Sequence, residues 1–186
     1  MSFTTFIIIY IIDPLLALAL FMFIARLLLQ LTRADFRNPL CQAVVKLTNP
    51  LILPLRRILP PLGKIDTASV VAVVAVAGVR VAAHTLNDGA LAAPAAVHSI
   101  LQWLIAIGVE IVLMVLWTYF YAIILYALLS MIAPGGYSPL QGVLATLCEP
   151  VLQPIRRAIP SVAGLDLSPL WAGIIIQVLI HLPLLF

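Results

Sequence analysis

The sequence predicts an all-α membrane protein, with four transmembrane helices forming two parallel tandem repeats. Each repeat is a long helix, an amphipathic interfacial helix rich in proline and arginine, and a shorter helix. Three observations lead there. The 186 residues are 64% hydrophobic and 9% charged, with a mean hydropathy of +1.20, which a water-soluble domain of this size cannot accommodate. Four apolar stretches reach or approach the roughly 20 residues that cross a hydrocarbon core of about 30 Å. Finally, the phrase NPLILPLRRILP at 49–60 returns as EPVLQPIRRAIP at 149–160.

The expected spans are about 3–31, 68–86, 101–133 and 169–186. At 1.5 Å per residue the first would reach roughly 43 Å, so it must tilt, kink or protrude. The second and fourth are only just long enough. The N-terminus carries no basic leader region and no small-residue cleavage site, so the first stretch is expected to be retained as a span. Cys41 and Cys148 are not repeat equivalents and fall in loops. They are expected to be reduced and inert, since a metal site would need more ligands.

Shifting the chain by 100 residues places Pro39, Leu40, Leu47, Pro50, Pro54, Arg56, Arg57, Pro60 and Asp66 on Pro139, Leu140, Leu147, Pro150, Pro154, Arg156, Arg157, Pro160 and Asp166. Such self-similarity marks an internal duplication. The first repeat is 1–86 with its loop at 32–67, a linker occupies 87–99, and the second repeat is 100–186 with its loop at 134–168. Of the ten Lys and Arg, Arg33, Arg37, Lys46, Arg56, Arg57 and Lys64 lie in the first loop and Arg156 and Arg157 in the second. Only Arg26 and Arg80 remain, inside helices. By the positive-inside rule both Pro/Arg loops face the cytoplasm and both termini the other side. Each repeat then enters from the same side, so the repeats are parallel.

Within the first loop Leu51, Ile52, Leu55, Ile58 and Leu59 form one apolar stripe on a helix, with Arg56 and Arg57 directed away. Val151, Leu152, Ile155, Ala158 and Ile159 repeat it. This describes a short helix lying in the interface, its arginines toward lipid phosphates. Pro54 and Pro154 suit a first helical turn, and Pro60 and Pro160 make Leu59 and Ile159 natural stops. Asp66 and Asp166 precede the following span. One reading makes them caps, together with Thr67 and Ser168. Another pairs Asp66 with Arg56 or Arg57 and Asp166 with Arg156 or Arg157. A third gathers the four arginines into an anionic-lipid site around the pseudo-twofold axis.

These residues resemble the YggT family of bacterial inner-membrane proteins, called YlmG in Gram-positive bacteria and plastids. The resemblance rests on Asp35-Phe36-Arg37-Asn38-Pro39, the Pro54–Pro60 core, Asp66-Thr67-Ala68-Ser69, and the second copy's Ser138-Pro139-Leu140, Pro154–Pro160 and Asp166-Leu167-Ser168-Pro169. Arg26 and Gln30 extend it into the first helix. It implies a bacterial inner-membrane, multi-pass protein, in which the outward termini expected from the charge distribution would be periplasmic. It also implies links to osmotic-stress tolerance and potassium homeostasis in some bacteria, and to division, nucleoid organisation or membrane-complex assembly in others. No catalytic residue is carried over. The second copy departs at Tyr126, opposite Arg26, and at Ser138, opposite Asn38.

Charges inside spans are costly and are candidate functional groups by default. Depth along the helices brings Asp13, Arg80, Glu110 and His181 toward the bilayer centre. Pro14 has no amide to offer the Tyr10 carbonyl, which would then be free beside Asp13. Two carboxylates and a free carbonyl would ligate a cation or relay protons. The alternative is an ion pair of Arg80 with Asp13 or Glu110 that fixes the bundle. Arg26, near the end of its helix, would snorkel to the headgroups. Trp103, Trp171 and Tyr137 read as interface anchors, and the aromatics from Trp117 to Tyr126 as packing or lipid contact.

There is no phosphate-binding glycine loop, no His/Cys metal spacing and no Ser/His/Asp constellation, which argues against an enzyme, a metal or a cofactor. Lipid accounts for the arginines without nucleic acid. Two function classes remain. One is a structural or assembly factor whose Arg56, Arg57, Arg156 and Arg157 bind anionic lipid or a membrane-protein partner. The other is a potassium or proton pathway through Asp13 and Glu110, which would require a homo-oligomer.

Overall fold

A chain this apolar must close its backbone hydrogen bonds internally. The computed structural model does so with helices and turns alone among the residues it describes, which are 7–59, 66–87, 100–132, 138–158 and 166–182. A π-helical turn, Ile8–Ile12, leads into α1 (Asp13–Leu31), followed by α2 (Pro39–Ile58), α3 (Thr67–Asn87), α4 (Ile100–Ile132), α5 (Pro139–Ala158) and α6 (Ser168–His181). Three stretches, Tyr10–Leu31, Thr67–Thr85 and Ile100–Ile132, are long and apolar enough to cross a membrane. With 14 residues, α6 measures about 21 Å, less than the hydrocarbon thickness. The end of the expected fourth span at 183–186, most of the linker (88–99), Pro60, Pro160, Tyr137 and Ile159 lie outside the described residues.

The chain divides into two compact units. One comprises Met1–Ile24 with Thr48–Met114, and the other Ala25–Leu47 with Val115–Phe186. In the first unit α3 runs beside α4, with the Ile107 methyl 3.5 Å from where a side chain on Gly78 would begin. The second unit includes α5 and α6, and a core patch of Leu29, Ala34 and Cys41 closed by Val44 and Val143. Along α4, Trp117 stacks on Tyr121 at 5.5 Å and meets Phe120 edge-on at 5.8 Å, an aromatic ladder made by one helix.

Two local expectations change. The amphipathic helices do not begin at Pro54 and Pro154. They begin at Pro39 and Pro139 and run 20 residues each, carrying Pro50, Pro54, Pro150 and Pro154 inside them. Proline suits a helix start because the first amides have no partner, and Pro39 and Pro139 take that place. The interior prolines lie four residues apart on the exposed side of each helix, where solvent or headgroups can serve the carbonyls they leave without an amide. The second change concerns Pro14. The interruption it causes is absorbed by the π-helical turn before it, a common local answer to a broken ladder, and Tyr10 is not left without a partner.

The reversal from α1 to α2 is a Schellman motif. The Ala34 amide donates to the Leu29 carbonyl at 2.9 Å and the Arg33 amide to that of Gln30 at 3.2 Å, which satisfies the carbonyls of the last turn. Arg33 takes the left-handed position, φ 54°, that glycine fills most easily. Asp35 then turns the chain by accepting from the Arg37 amide at 2.9 Å. Asn38 caps α2, its Oδ1 accepting from the Leu40 amide at 3.0 Å. Ser138 caps α5 through the Gln141 amide at 3.1 Å. The departure between the copies at this position is therefore a change of residue with the same capping role.

Asn38 does something a serine cannot: its Nδ2 donates to the Pro139 carbonyl at 2.7 Å, joining the start of α2 to the start of α5. Asn38→Ser should keep the cap and lose this bond, lowering stability by about 1 kcal/mol. Asn38→Ala should lose both and fall by about 2 kcal/mol. Thermal unfolding in detergent, comparing the two variants with the native chain, measures the difference.

Candidate functional site

Asp66, nine residues beyond Arg57, stands at the foot of α3, and an arginine and a carboxylate meet there. Arg56 donates from Nη2 to Asp66 Oδ2 at 2.5 Å and from Nε to Oδ1 at 3.3 Å. Both oxygens face both nitrogens, the fork-to-fork arrangement that suits guanidinium and carboxylate. Ser69 donates its hydroxyl to the same Oδ2 at 2.7 Å from one turn inside α3. Asp66 is almost wholly buried, its side chain 8% exposed.

The second copy repeats the joint with looser surroundings. Arg156 Nε donates to Asp166 Oδ2 at 2.8 Å, and its Nη1 reaches Glu149 Oε2 at 3.0 Å on its own helix. Asp166 also accepts from the Ser168 amide at 2.9 Å, so one carboxylate serves both the first amide of α6 and the ion pair. Its side chain is 44% exposed. Burial pushes the Asp166 carboxyl up, but the hydrogen bonds from Ser168 and Arg156 and the Arg156 charge outweigh it and hold the group below the usual carboxylate range. Arg156, although partly desolvated, is held charged by Asp166, Tyr126 and Glu149. In both copies the second arginine, Arg57 or Arg157, stays exposed.

The apolar stripe splits in two. Ile52 and Leu152 are fully buried, with Thr48 in line on α2 and Leu144 and Cys148 on α5. Leu47, Leu51 and Ile58 form a second apolar flank that stays open, Ile58 being 78% exposed. Cys41 and Cys148 are fully buried core residues. Burial pushes the Cys148 thiol up to about 12 and raises Cys41 as well, so both stay protonated and unreactive at neutral pH.

Arg26 departs from its expected position. Rather than snorkelling, it is 2% exposed, with Nη1 donating to the Val45 carbonyl at 3.4 Å. The Schellman turn folds α2 back over the end of α1, which brings that carbonyl within reach. No sequence pattern announced this contact.

A second cluster lies within the apolar helices of the first unit. Arg80 of α3 donates from Nε to Asp13 Oδ1 at 2.8 Å and from Nη2 to Oδ2 at 3.4 Å. Its Nη1 also donates to Glu110 Oε1 on α4. One guanidinium thereby joins three helices. His181 is engaged elsewhere, its Nδ1 2.8 Å from the Gln177 carbonyl of α6. The histidine at Asp13 is His84, with Nε2 3.0 Å from Oδ1. The sequence held the signal, since His84 lies one helical turn beyond Arg80 on the same face. Arg80 is 13 residues from the start of α3 and 7 from its end, so the cluster lies in the third of the helix remote from Asp66.

The sequence matches the CCB3/YggT family over residues 5–86 and 105–185. The chain belongs to that family. Within it, an uncharacterized protein of Pseudomonas aeruginosa is 37% identical over 92% of this chain and 85% of its own length. The uncharacterized protein YggT of Escherichia coli is 31% identical over 91% and 85%, and an uncharacterized protein of Vibrio alginolyticus is 35% identical over 87% and 84%. No solved structure matches. Family and apolar helices together make the chain a membrane protein.

The two joints differ in burial, and their variants should differ accordingly. Arg56→Gln strands a buried carboxylate and should destabilise by about 3 kcal/mol. Arg156→Gln leaves a hydrated one and should cost under about 1 kcal/mol. Thermal unfolding of each variant decides this. Because the Asp166 pair favours the ionised carboxyl, its contribution is present above the unfolded value of about 3.8 and disappears as pH falls through the lower folded value. The difference in Tm between native and Asp166→Asn should therefore hold from about pH 8 to pH 5 and close below about pH 4.

Proposed function

We propose that this YggT-family protein is a non-enzymatic scaffold of the bacterial inner membrane that recognises anionic lipid at its cytoplasmic face. In this reading the chain is a duplicated unit of four spans, with periplasmic termini and both Pro/Arg helices in the cytoplasmic interface. The observation that carries it is the division of labour within each arginine pair. Arg56 and Arg156 are engaged by the foot of the next helix, which holds the amphipathic helix in place. Arg57 and Arg157, one residue on, stay exposed. The open flank of Leu47, Leu51 and Ile58 supplies apolar area that such a helix buries at the acyl boundary. A helix anchored to lipid on one side and to a span on the other couples membrane charge and tension to the bundle. That coupling would underlie a role under osmotic stress.

The ion-pathway reading has less support. Arg80 occupies the space between Asp13 and Glu110 where a conducted cation would sit, so both carboxylates already have their counter-charge. The arrangement favours a fixed interhelical ion pair that holds α1, α3 and α4 together.

The test is lipid retention by the purified chain in nanodiscs mixing phosphatidylcholine and phosphatidylglycerol. An interfacial arginine near an anionic surface contributes about 1 kcal/mol. Arg57→Gln with Arg157→Gln should therefore reduce phosphatidylglycerol enrichment roughly tenfold or more at low salt, with thermal stability unchanged. Undiminished enrichment in that double variant would sink the proposal.

A further inference from the structure

The stretch Asp35-Phe36-Arg37-Asn38-Pro39 has so far only turned and capped the chain, yet it carries two charges. Asn38 joins the start of α2 to the start of α5, and beside this bond the two helix starts border a cleft of about 540 Å³. The cleft lies wholly within the second compact unit, but both copies of the repeat build it. Each contributes something different. The first copy brings charge, with Asp35 and Arg37 on the wall. Opposite them after the 100-residue shift stand Gly135 and Tyr137, which are uncharged at neutral pH. The second copy brings room. Gly142 corresponds to Gln42, whose side chain donates to the Arg37 carbonyl at 3.2 Å, and a side chain begun at Gly142 would meet nothing within 4 Å.

The first amides of the two helices are not free for a ligand. Pro39 and Pro139 have none, and Asn38 and Ser138 already serve those of Leu40 and Gln141. Recognition therefore falls to side chains. Asp35 accepts the Arg37 amide at 2.9 Å, which turns its carboxylate back over the bend, and the two side chains form no ion pair with each other. The Arg37 guanidinium has no hydrogen-bond or ion-pair partner among the described residues. Opposite charges two residues apart, lining one cleft without meeting, suit a ligand that carries both. A bare anion would be repelled by Asp35 and a bare cation by Arg37. Ser138 accepts from the Gln141 amide through its oxygen and still has its hydroxyl proton to donate.

We propose that this cleft binds a phosphoethanolamine group, with the phosphate held by Arg37 and Ser138 and the ammonium by Asp35. A guanidinium fork and a hydroxyl match the oxygens of a phosphate, and an ammonium donates to a carboxylate. Choline carries the same charge but has no N–H to give, so it is the poorer ligand. The group has two sources, a lipid headgroup and soluble glycerophosphoethanolamine. The lipid source rests on the interfacial placement of the amphipathic helices proposed above. Arg57 lies at the other end of α2, a helix about 30 Å long, so the two lipid contacts use different residues.

The experiment places the full-length chain in phosphatidylcholine nanodiscs with a minor fraction of phosphatidylethanolamine and analyses the lipid that stays with the protein on detergent extraction. In parallel, calorimetry compares glycerophosphoethanolamine with glycerophosphocholine. The native chain should prefer ethanolamine over choline. Arg37→Gln should weaken that binding about tenfold, and Gly142→Gln, which fills the cleft with the first copy's residue, should do at least as much. Neither removes a bond that holds the fold, and glutamine is the better helix former, so unfolding temperatures should not fall. Asp35→Asn still accepts the Arg37 amide and should bind both headgroups alike. Arg57→Gln with Arg157→Gln should leave the ethanolamine preference intact, which separates failure here from failure of the anionic-lipid proposal. Retention of the lipid without binding of the soluble compound assigns the headgroup source, and the reverse assigns the free ligand. Absence of both, or a preference that survives Arg37→Gln and Gly142→Gln, overturns the proposal.

Discussion

Everything at the Pro/Arg end depends on one kind of contact, a guanidinium meeting a carboxylate at the foot of the following helix. The direction in which α3 leaves α2 must be fixed by a contact between the two helices. A bidentate contact between Arg56 and Asp66 does so, because two parallel hydrogen bonds specify an angle as well as a distance. Ser69 then locks the carboxylate against the first turn of α3. Where the duplicated joint is more hydrated, at Asp166, it recruits Glu149 as a second acceptor for Arg156. The same pairing is thus made by two bonds to one buried carboxylate in the first copy and by one bond to each of two exposed carboxylates in the second.

A second guanidinium organises the opposite part of the first unit. Arg80 could not remain ionised among apolar helices without partners, and Asp13 and Glu110 could not remain together without a cation between them. The three residues therefore require one another. Their helices meet where that requirement is satisfied, and His84 adds a further donor on the same face. Such a cluster stabilises little over a well-packed apolar alternative, but it selects one register among several that the greasy surfaces would permit.

Much of this was legible in the chain. The 100-residue shift placed Asp66 and Asp166 ten residues beyond Arg56 and Arg156, which made an ion pair one reading of these residues beside capping. The spans up to Ile132 followed from hydropathy alone. What was hidden depended on tertiary reach. Pro54 looked like a helix start because proline favours that place, but Pro39 also met the criterion and had an Asn cap before it. Arg26 looked able to reach water because nothing local reveals that α2 folds back across it. His181 was favoured over His84 because depth was counted along the chain, whereas helical phase relative to Arg80 decides which imidazole meets Asp13.

The interior prolines have a meaning beyond shape. Pro50 and Pro54 withhold an amide from the carbonyls of Lys46 and Pro50, and Pro150 and Pro154 do the same for Thr146 and Pro150. Along the exposed side of each amphipathic helix this creates a short row of strong acceptors that only water or a headgroup donor can serve. A helix with such a row resists sinking into hydrocarbon, and on α2 the open Leu47, Leu51 and Ile58 oppose its lifting away. If the proposed lipid-facing reading holds, the prolines would act as a depth gauge, keeping each arginine pair at the level where phosphates are found.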